Sequence, residues 1–272
     1  MKKFTLLGYP LGHSLSPFIQ SELFKIKGTA AEYGLLELPA ERLSKEAFWG
    51  LDGFNVTIPH KLNIIPFLDK LSERAGTLGC VNTVKCDGEM LFGYNTDYDG
   101  FLGALKLNGI ELAGRAAIAG CGGTARMMCH AAAAYGCEIF LIVRPRSVDR
   151  ANALADELKG KYPGLKIKVG LPQSCDILLN ATPAGMYPHP GDTAVPEQLI
   201  KNSGAVFDAV YNPSRTKLLQ IADDVGVKTA SGLAMLVLQA AEAQKIWIGS
   251  EFSDGEIHDV ISKAAEELER IF

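Results

Sequence analysis

The spacing of apolar residues changes near residue 115. Before that point, β-rich runs at 4–8, 31–38 and 54–58 are separated by stretches with helical spacing. Phe18, Ile19, Leu23, Phe24 and Ile26 recur every three or four positions. They follow Ser16-Pro17, which reads as an N-cap with proline at the first helical position, and Gly28 ends the run. Residues 39–49 read as a helix closed near Gly50, and Asp52-Gly53 as a turn. Pro59 opens a further helix that Pro66 kinks or ends. Runs at 80–86 and 90–94 flank Asp87-Gly88, a strong hairpin signal, and Asp97 precedes a helical run reaching Gly109.

From Arg115 onward the elements alternate. Apolar runs of strand length stand at 116–119, 138–143, 166–169, 176–180, 205–210 and 227–230, with helical runs at 124–135, 148–159 and 216–225. Strand–helix alternation of this kind predicts an α/β fold with a mainly parallel sheet and helices on both faces. Two further helices, 234–247 and 254–270, close the chain.

The first of those strands runs directly into Gly120-Cys121-Gly122-Gly123-Thr124-Ala125-Arg126, which opens a helix. Strand, glycine turn and helix in that order are the context of a dinucleotide-binding fingerprint, and the spacing Gly120-x-Gly122-x-x-Ala125 fits it. Gly120 permits the tight turn. Gly122 lets a pyrophosphate approach the backbone, and Ala125 allows close helix–strand packing. The helix N-terminus then offers free N–H groups to phosphate.

Composition narrows the classes. At 47% apolar and 21% charged, with a formal net charge of −4, the chain carries no basic footprint for nucleic acid. No apolar run reaches membrane-spanning length, and Gly8, Pro10 and Gly12 break the start too early for a signal-peptide core. Cys80, Cys86, Cys121, Cys129, Cys137 and Cys175 form no C-x-x-C pair and are expected as free thiols of a reducing cytoplasm. The histidines, His13, His60, His130, His189 and His258, have no ligand spacing, so no metal is expected.

Charge also bears on the cofactor. In this fold a carboxylate after the second strand holds the ribose 2′-OH of NAD. Here that strand runs into Arg144-Pro145-Arg146. Guanidinium forks match phosphate, which favours the 2′-phosphate of NADP. Outside the nucleotide region, polar groups collect in short motifs: His13-Ser14-x-Ser16, Asn55-x-Thr57 with His60-Lys61, Asn82-Thr83 and Asn95-Thr96-Asp97. Such a set suits a polyhydroxylated small molecule. Lys61 and Asp97 form a candidate proton-transfer and charge-stabilising pair for carbonyl reduction.

These motifs, GYPLGHSLSP, NVTIPHK, CVNT, GYNTD, GCGGTAR, NATPAGM, YNP and GLAMLVLQ, resemble those of the shikimate dehydrogenase family over nearly the whole chain. The resemblance implies reversible reduction of 3-dehydroshikimate to shikimate with NADPH in aromatic amino acid biosynthesis. It implies substrate contacts from Ser14, Ser16, Thr57, Lys61, Asn82, Asp97, Tyr211 and Gln239, with Lys61 catalytic and Asp97 beside it. Thr182 and Gly232 are implied near the cofactor. The implied architecture is a discontinuous N-terminal α/β substrate domain (1–98), a Rossmann-type doubly wound NADP domain (99–232) and C-terminal helices (233–272) returning to the first domain. A monomer or homodimer is expected. In the family a serine pair at positions 14 and 16 accompanies shikimate preference, whereas quinate users often carry threonine at one of them.

The chain departs from the family pattern in three places. Gln20-Ser21 stands where His-Asn is common, and Val143-Arg144-Pro145 replaces Asn-Arg-Thr, with a longer loop before Arg150. Thr124 stands where alanine is usual. Two other readings remain at this point. One is a quinate/shikimate dehydrogenase that uses NAD or NADP. The other is a non-catalytic dinucleotide-binding paralogue that reports redox state to a partner, although a pure binder needs neither Lys61 nor Asp97.

Overall fold

The computed structural model describes residues 1–12 and 14–271, so His13 of the first motif lies outside the described residues. The chain divides into two units. The first contains Met1–Gly100 and Leu236–Glu267, and the second contains Phe101–Met235 and the chain from Leu268 onward.

In the first unit, β1 (Lys2–Gly8), α1 (Ser16–Ile26) and β2 (Ala31–Glu37) form a parallel crossover. They are followed by β3 (Gly53–Val56), α2 (His60–Asn63), β4 (Lys70–Leu71), α3 (Glu73–Leu78), β5 (Thr83–Asp87), β6 (Met90–Tyr94) and the first turn of α4 (Asp97–Leu107), which continues into the second unit. The mixed sheet has the order β2-β1-β3-β5-β6-β4, with β3–β5 and β5–β6 antiparallel. Phe48 stacks on Phe54 at 4.3 Å, and Phe4 stacks on Trp247 at 4.6 Å.

The second unit contains β7 (Arg115–Ala119), α5 (Gly123–Ala134), β8 (Glu138–Ile142), α6 (Val148–Lys161), β9 (Ile167–Val169) and β10 (Cys175–Asn180). Then come α7 (Glu197–Lys201), β11 (Ser203–Asp208), α8 (Lys217–Asp224) and β12 (Lys228–Ser231). Its sheet, β12-β11-β10-β7-β8-β9, is parallel throughout. The order reverses between β7 and β10, the switch point at whose carboxyl ends such sheets bind ligands. The almost continuously buried β7, β10 and β11 are the strands expected under helices on both faces. Two long helices finish the chain, α9 (Gly232–Ile248) and α10 (Asp254–Ile271).

The structure corrects several local expectations. Residues 39–49 form two 3-10 turns, Ala40–Arg42 and Lys45–Phe48, separated by an extended Ser44. Their buried apolar anchors, Leu43 and Phe48, lie five positions apart and would fall on different faces of one helix. Gly53 is the first residue of a strand, not part of a turn. A Cβ there would sit 2.5 Å from Trp247 Nε1 and 2.8 Å from the Val84 carbonyl oxygen, so glycine is required by close packing. Leu15, not Ser16, occupies the N-cap of α1, and Ser14 Oγ accepts from the Ser16 N–H at 3.2 Å. The helix after Pro59 is a single turn, followed by a 3-10 turn at Ile65–Phe67. Pro66 lacks the N–H that would continue the α-helix, and its ring opposes the carbonyl one turn earlier. The short α3 and α7 are too brief to show a helical period in sequence.

Candidate active site

Lys61 is held by backbone on both sides. Thr57 N–H donates to the Leu7 carbonyl at 2.8 Å as β3 ends, and His60 N–H donates to the Thr57 carbonyl at 2.8 Å. The fully buried His60 donates from Nε2 to the Leu38 carbonyl at 2.7 Å, which pins the start of α2. The Lys61 carbonyl in turn accepts from Val81 N–H at 2.9 Å. Asp97 approaches from the first turn of α4. There Asn95 Oδ1 accepts from Tyr98 N–H at 3.2 Å, while Asn95 Nδ2 donates to the Cys80 carbonyl at 3.0 Å. Asn95 therefore serves as the cap, and Asp97 is left free of that task.

Lys61 Nζ donates to Asp97 Oδ2 at 2.5 Å, with the side chains 16% and 8% exposed. Burial alone would lower the lysine pKa. The attraction of Asp97, with a smaller one from Cys80, outweighs it and holds Lys61 above the ordinary lysine value. The side chain is therefore an ammonium at neutral pH.

Beside the pair lies a buried polar cluster in the same unit. Asn82 Nδ2 donates to Gln239 Oε1 at 2.9 Å and to Thr96 Oγ1 at 3.0 Å, and Asn82 Oδ1 accepts from Thr96 N–H at 2.7 Å. Asn55 Nδ2 donates to Thr83 Oγ1 at 3.0 Å, and its Oδ1 accepts from Tyr33 Oη at 2.8 Å and from Gln20 Nε2 at 3.3 Å. Gln244 Nε2 donates to Gln20 Oε1 at 2.8 Å. Gln20 thus links α9 to the strand that carries Asn55. Nothing in the primary structure marks that role, because an amide in a helix carries no signal of its own. Ser14, Ser16 and Thr57 are half-buried, and Thr57 packs so close to Gly8 that a Cβ on the glycine would lie 2.6 Å from Thr57 Cγ2. The first unit contains Ser14, Ser16, Thr57, Lys61, Asn82, Asp97 and Gln239, whereas Tyr211 belongs to the second.

In the second unit, Gly120 follows β7 with φ of 111°, a value side chains rarely adopt. A Cβ on it would come within 3.2 Å of the Ala181 carbonyl oxygen and of Thr182 Cγ2. At Gly122, the N-cap of α5, a Cβ would meet nothing within 4 Å, so the loop faces open space in front of the helix N-terminus. That opening, the left-handed Gly120 and the buried Ala125 fit a dinucleotide pyrophosphate. Cys121, Gly123 and Thr124 lie in the same turn, where Cys121 is half-buried.

Arg144 precedes the 3-10 turn Pro145–Ser147 that follows β8, Arg146 lies within it, and both are exposed. Arg150 Nε donates to Cys121 Sγ at 3.2 Å, which places a third guanidinium against the glycine loop. Arg126 instead pairs with Glu157 of α6, and that bond, together with one from Lys161, holds the Glu157 carboxyl at about 2. The fingerprint arginine therefore ties α5 to α6. Gly232 packs against Ala209, whose carbonyl oxygen would lie 2.2 Å from a Cβ there.

A doubly wound parallel sheet with an open glycine loop, and a separate unit bearing a lysine–carboxylate pair, define a dinucleotide-dependent oxidoreductase. The profile of the shikimate dehydrogenase substrate binding domain matches residues 6–84. The chain is 37% identical over 270 residues to shikimate dehydrogenase (NADP(+)) of Caldanaerobacter subterraneus subsp. tengcongensis, covering 96% of each chain. Among solved structures, it resembles shikimate 5-dehydrogenase of Thermus thermophilus in complex with NADP(H) and shikimate. That match has a TM-score of 0.85 and 34% identity, and covers 97% of this chain and 100% of the other. It also resembles shikimate 5-dehydrogenase of Listeria monocytogenes in complex with shikimate and NAD, with a TM-score of 0.83, 32% identity and 96% coverage of each. The chain belongs to the shikimate dehydrogenase family.

Proposed function

We propose that this chain catalyses the reversible NADPH-dependent reduction of 3-dehydroshikimate to shikimate, a step of aromatic amino acid biosynthesis. The observation that carries this reading is the buried Lys61–Asp97 ion pair set beside the Asn82–Gln239–Thr96 cluster. It supplies a cation for a developing alkoxide and several groups that read hydroxyls.

NADPH, when bound, supplies the hydride. Lys61, charged at neutral pH, donates a proton to the carbonyl oxygen as it gains negative charge, and takes one back in the reverse direction. Asp97 orients Nζ and keeps it protonated. Ser14 and Ser16 hold the substrate carboxylate, while Thr57, Asn82, Asp97 and Gln239 read the ring hydroxyls. Tyr211 is a further residue assigned to the substrate by the family motif. Gly120, Cys121, Gly122, Gly123, Thr124 and Ala125 carry the pyrophosphate at the α5 N-terminus. Arg144 and Arg146 take the 2′-phosphate, and Thr182 and Gly232 lie along the remainder of the dinucleotide. Arg126, bound to Glu157, supports this loop through its helix. In this reading residues 1–98 and the C-terminal helices 233–272 serve the substrate, and 99–232 serve NADP.

The partners are small molecules, in a cytoplasmic monomer or homodimer. Among the described residues no helix is long and apolar enough to cross a membrane. A spectrophotometric assay of shikimate oxidation with NADP tests the proposal. Turnover supports it, and binding of both ligands without turnover would favour the non-catalytic paralogue.

A further inference from the structure

At the carboxyl ends of β10 and β11, three fully buried polar side chains meet: Asn180, Asp208 and Thr216, each 1% exposed or less. Asn180 and Asp208 are register partners. Asp208 Oδ1 accepts from Asn180 Nδ2 at 2.8 Å and from Val210 N–H at 3.0 Å, and Oδ2 accepts from Thr216 Oγ1 at 2.6 Å. All three donors are uncharged. Burying a carboxylate without a cation is costly, and burial raises the Asp208 pKa to about 6 despite those bonds. Its ionised form therefore costs stability at neutral pH, a cost that the three hydrogen bonds offset only in part.

Those bonds lead to two loops. Asn180 Nδ2 donates to Asp208 at the shorter distance and to the Ala184 carbonyl at 3.3 Å, so the amide turns its Oδ1 outward, where it accepts from Thr182 N–H at 2.9 Å and from Thr182 Oγ1 at 2.7 Å. Thr182 Oγ1 then accepts from Ala184 N–H at 3.2 Å. The same loop abuts the first fingerprint glycine, through the contacts of Ala181 and Thr182 with Gly120. On the other side, Val210 N–H fixes the chain just before Tyr211.

We propose that Asp208 is a positioning residue for the dinucleotide. Its carboxylate sets the Asn180 amide, and through it the Thr182 loop that supports the glycine turn. This deepens the functional reading above and rests on it. Three predictions separate positioning from a structural role. Asp208→Asn preserves shape but removes the charge that orients Asn180, so NADP+ affinity measured by titration calorimetry on the substrate-free chain falls roughly tenfold. The unfolding midpoint of the same variant stays level or rises, since a buried charge has gone. Thr216→Ser, which retains the hydroxyl, binds NADP+ as the wild type does.

An Asp208→Asn chain that binds NADP+ within about twofold of wild type overturns the inference, as does one whose midpoint drops along with its affinity. Asp208→Ala is the harsher variant, and Asp208→Asn decides the matter where Asp208→Ala does not fold. A wild-type chain that fails to bind NADP+ overturns the dinucleotide reading itself, and is thereby distinguished from the failure of Asp208 alone.

Discussion

Lys61 Nζ and Asp97 Oδ2 lie 2.5 Å apart, although the residues are 36 positions apart and sit on different helices. The contact exists because His60 pins one helix start and Asn95 caps the other. The two supports belong to different elements, so the geometry of the pair is set from two sides.

Removing the lysine tests its chemical role. Lys61→Ala is expected to lower kcat by roughly a hundredfold or more while KM moves much less, the pattern of a lost acid–base group. Steady-state kinetics in the reduction direction provide the check, and a variant that keeps most of its kcat removes Lys61 from the mechanism.

The pH dependence follows from the sign of the shift. Lys61 is raised above the ordinary lysine value, so its ammonium form persists through neutral pH and the reduction rate falls only as pH rises past that value. Asp97→Asn takes away the attraction and leaves burial, which lowers the pKa. The alkaline limb of the reduction profile should therefore move to lower pH in Asp97→Asn. An unmoved limb would assign it to another group.

Gln239 accepts from Asn82 and is expected to serve binding. Gln239→Ala removes the amide proposed to read a ring hydroxyl, and a polar substrate group left unpaired costs about 1–3 kcal/mol of binding. The KM for shikimate should rise roughly tenfold or more, with kcat changed little. A kcat loss at constant KM would place Gln239 in the chemical step.

His130 offers a test of stability in acid. Burial, reinforced by Arg126 and Lys161, lowers its pKa to about 4. Its Nδ1 shares a hydrogen bond with Tyr162 Oη at 3.0 Å. The folded-state value lies below the unfolded one, so the neutral ring stabilises the fold above about pH 6.5, and that contribution is lost as pH falls toward about 4. Denaturant unfolding from about pH 7 to about pH 4.5 should show a shallower decline for His130→Gln than for wild type. Parallel declines would contradict it.

The legible and illegible parts of this chain differ in physical kind. The parallel sheet is readable because β7, β10 and β11 are buried on both faces and leave long apolar runs. The glycine loop is readable because the φ of 111° at Gly120 disfavours any side chain there, and because the loop falls between a strand and a helix at the fingerprint spacing. The 39–49 segment misleads because helix-forming residues there lack a common apolar face. Gly53 misleads because a glycine required by an indole ring looks the same in sequence as a glycine in a turn. The Gln20–Gln244 link and the Asp208 cluster join residues that are distant in sequence. Their polar side chains look like surface groups until the fold buries them.

The central claim is NADP-dependent shikimate oxidoreduction, for which we propose that Ser14 and Ser16 set the substrate preference and Arg144 and Arg146 the dinucleotide preference. Charge-assisted contacts to the 2′-phosphate are worth about 1.5–3 kcal/mol each, so Arg144→Asp should depress kcat/KM for NADP by at least about tenfold while leaving NAD little changed. In the proposed serine-pair site the extra hydroxyl of quinate would be left unpaired, at a cost of about 1–3 kcal/mol. The most direct measurement is kcat/KM of the wild-type chain for shikimate and for quinate, each with NADP and with NAD, at one pH. The expected result is shikimate over quinate by roughly ten- to hundredfold, and NADP over NAD by at least about tenfold. Quinate turnover within a few-fold of shikimate, or comparable use of the two dinucleotides, would contradict it.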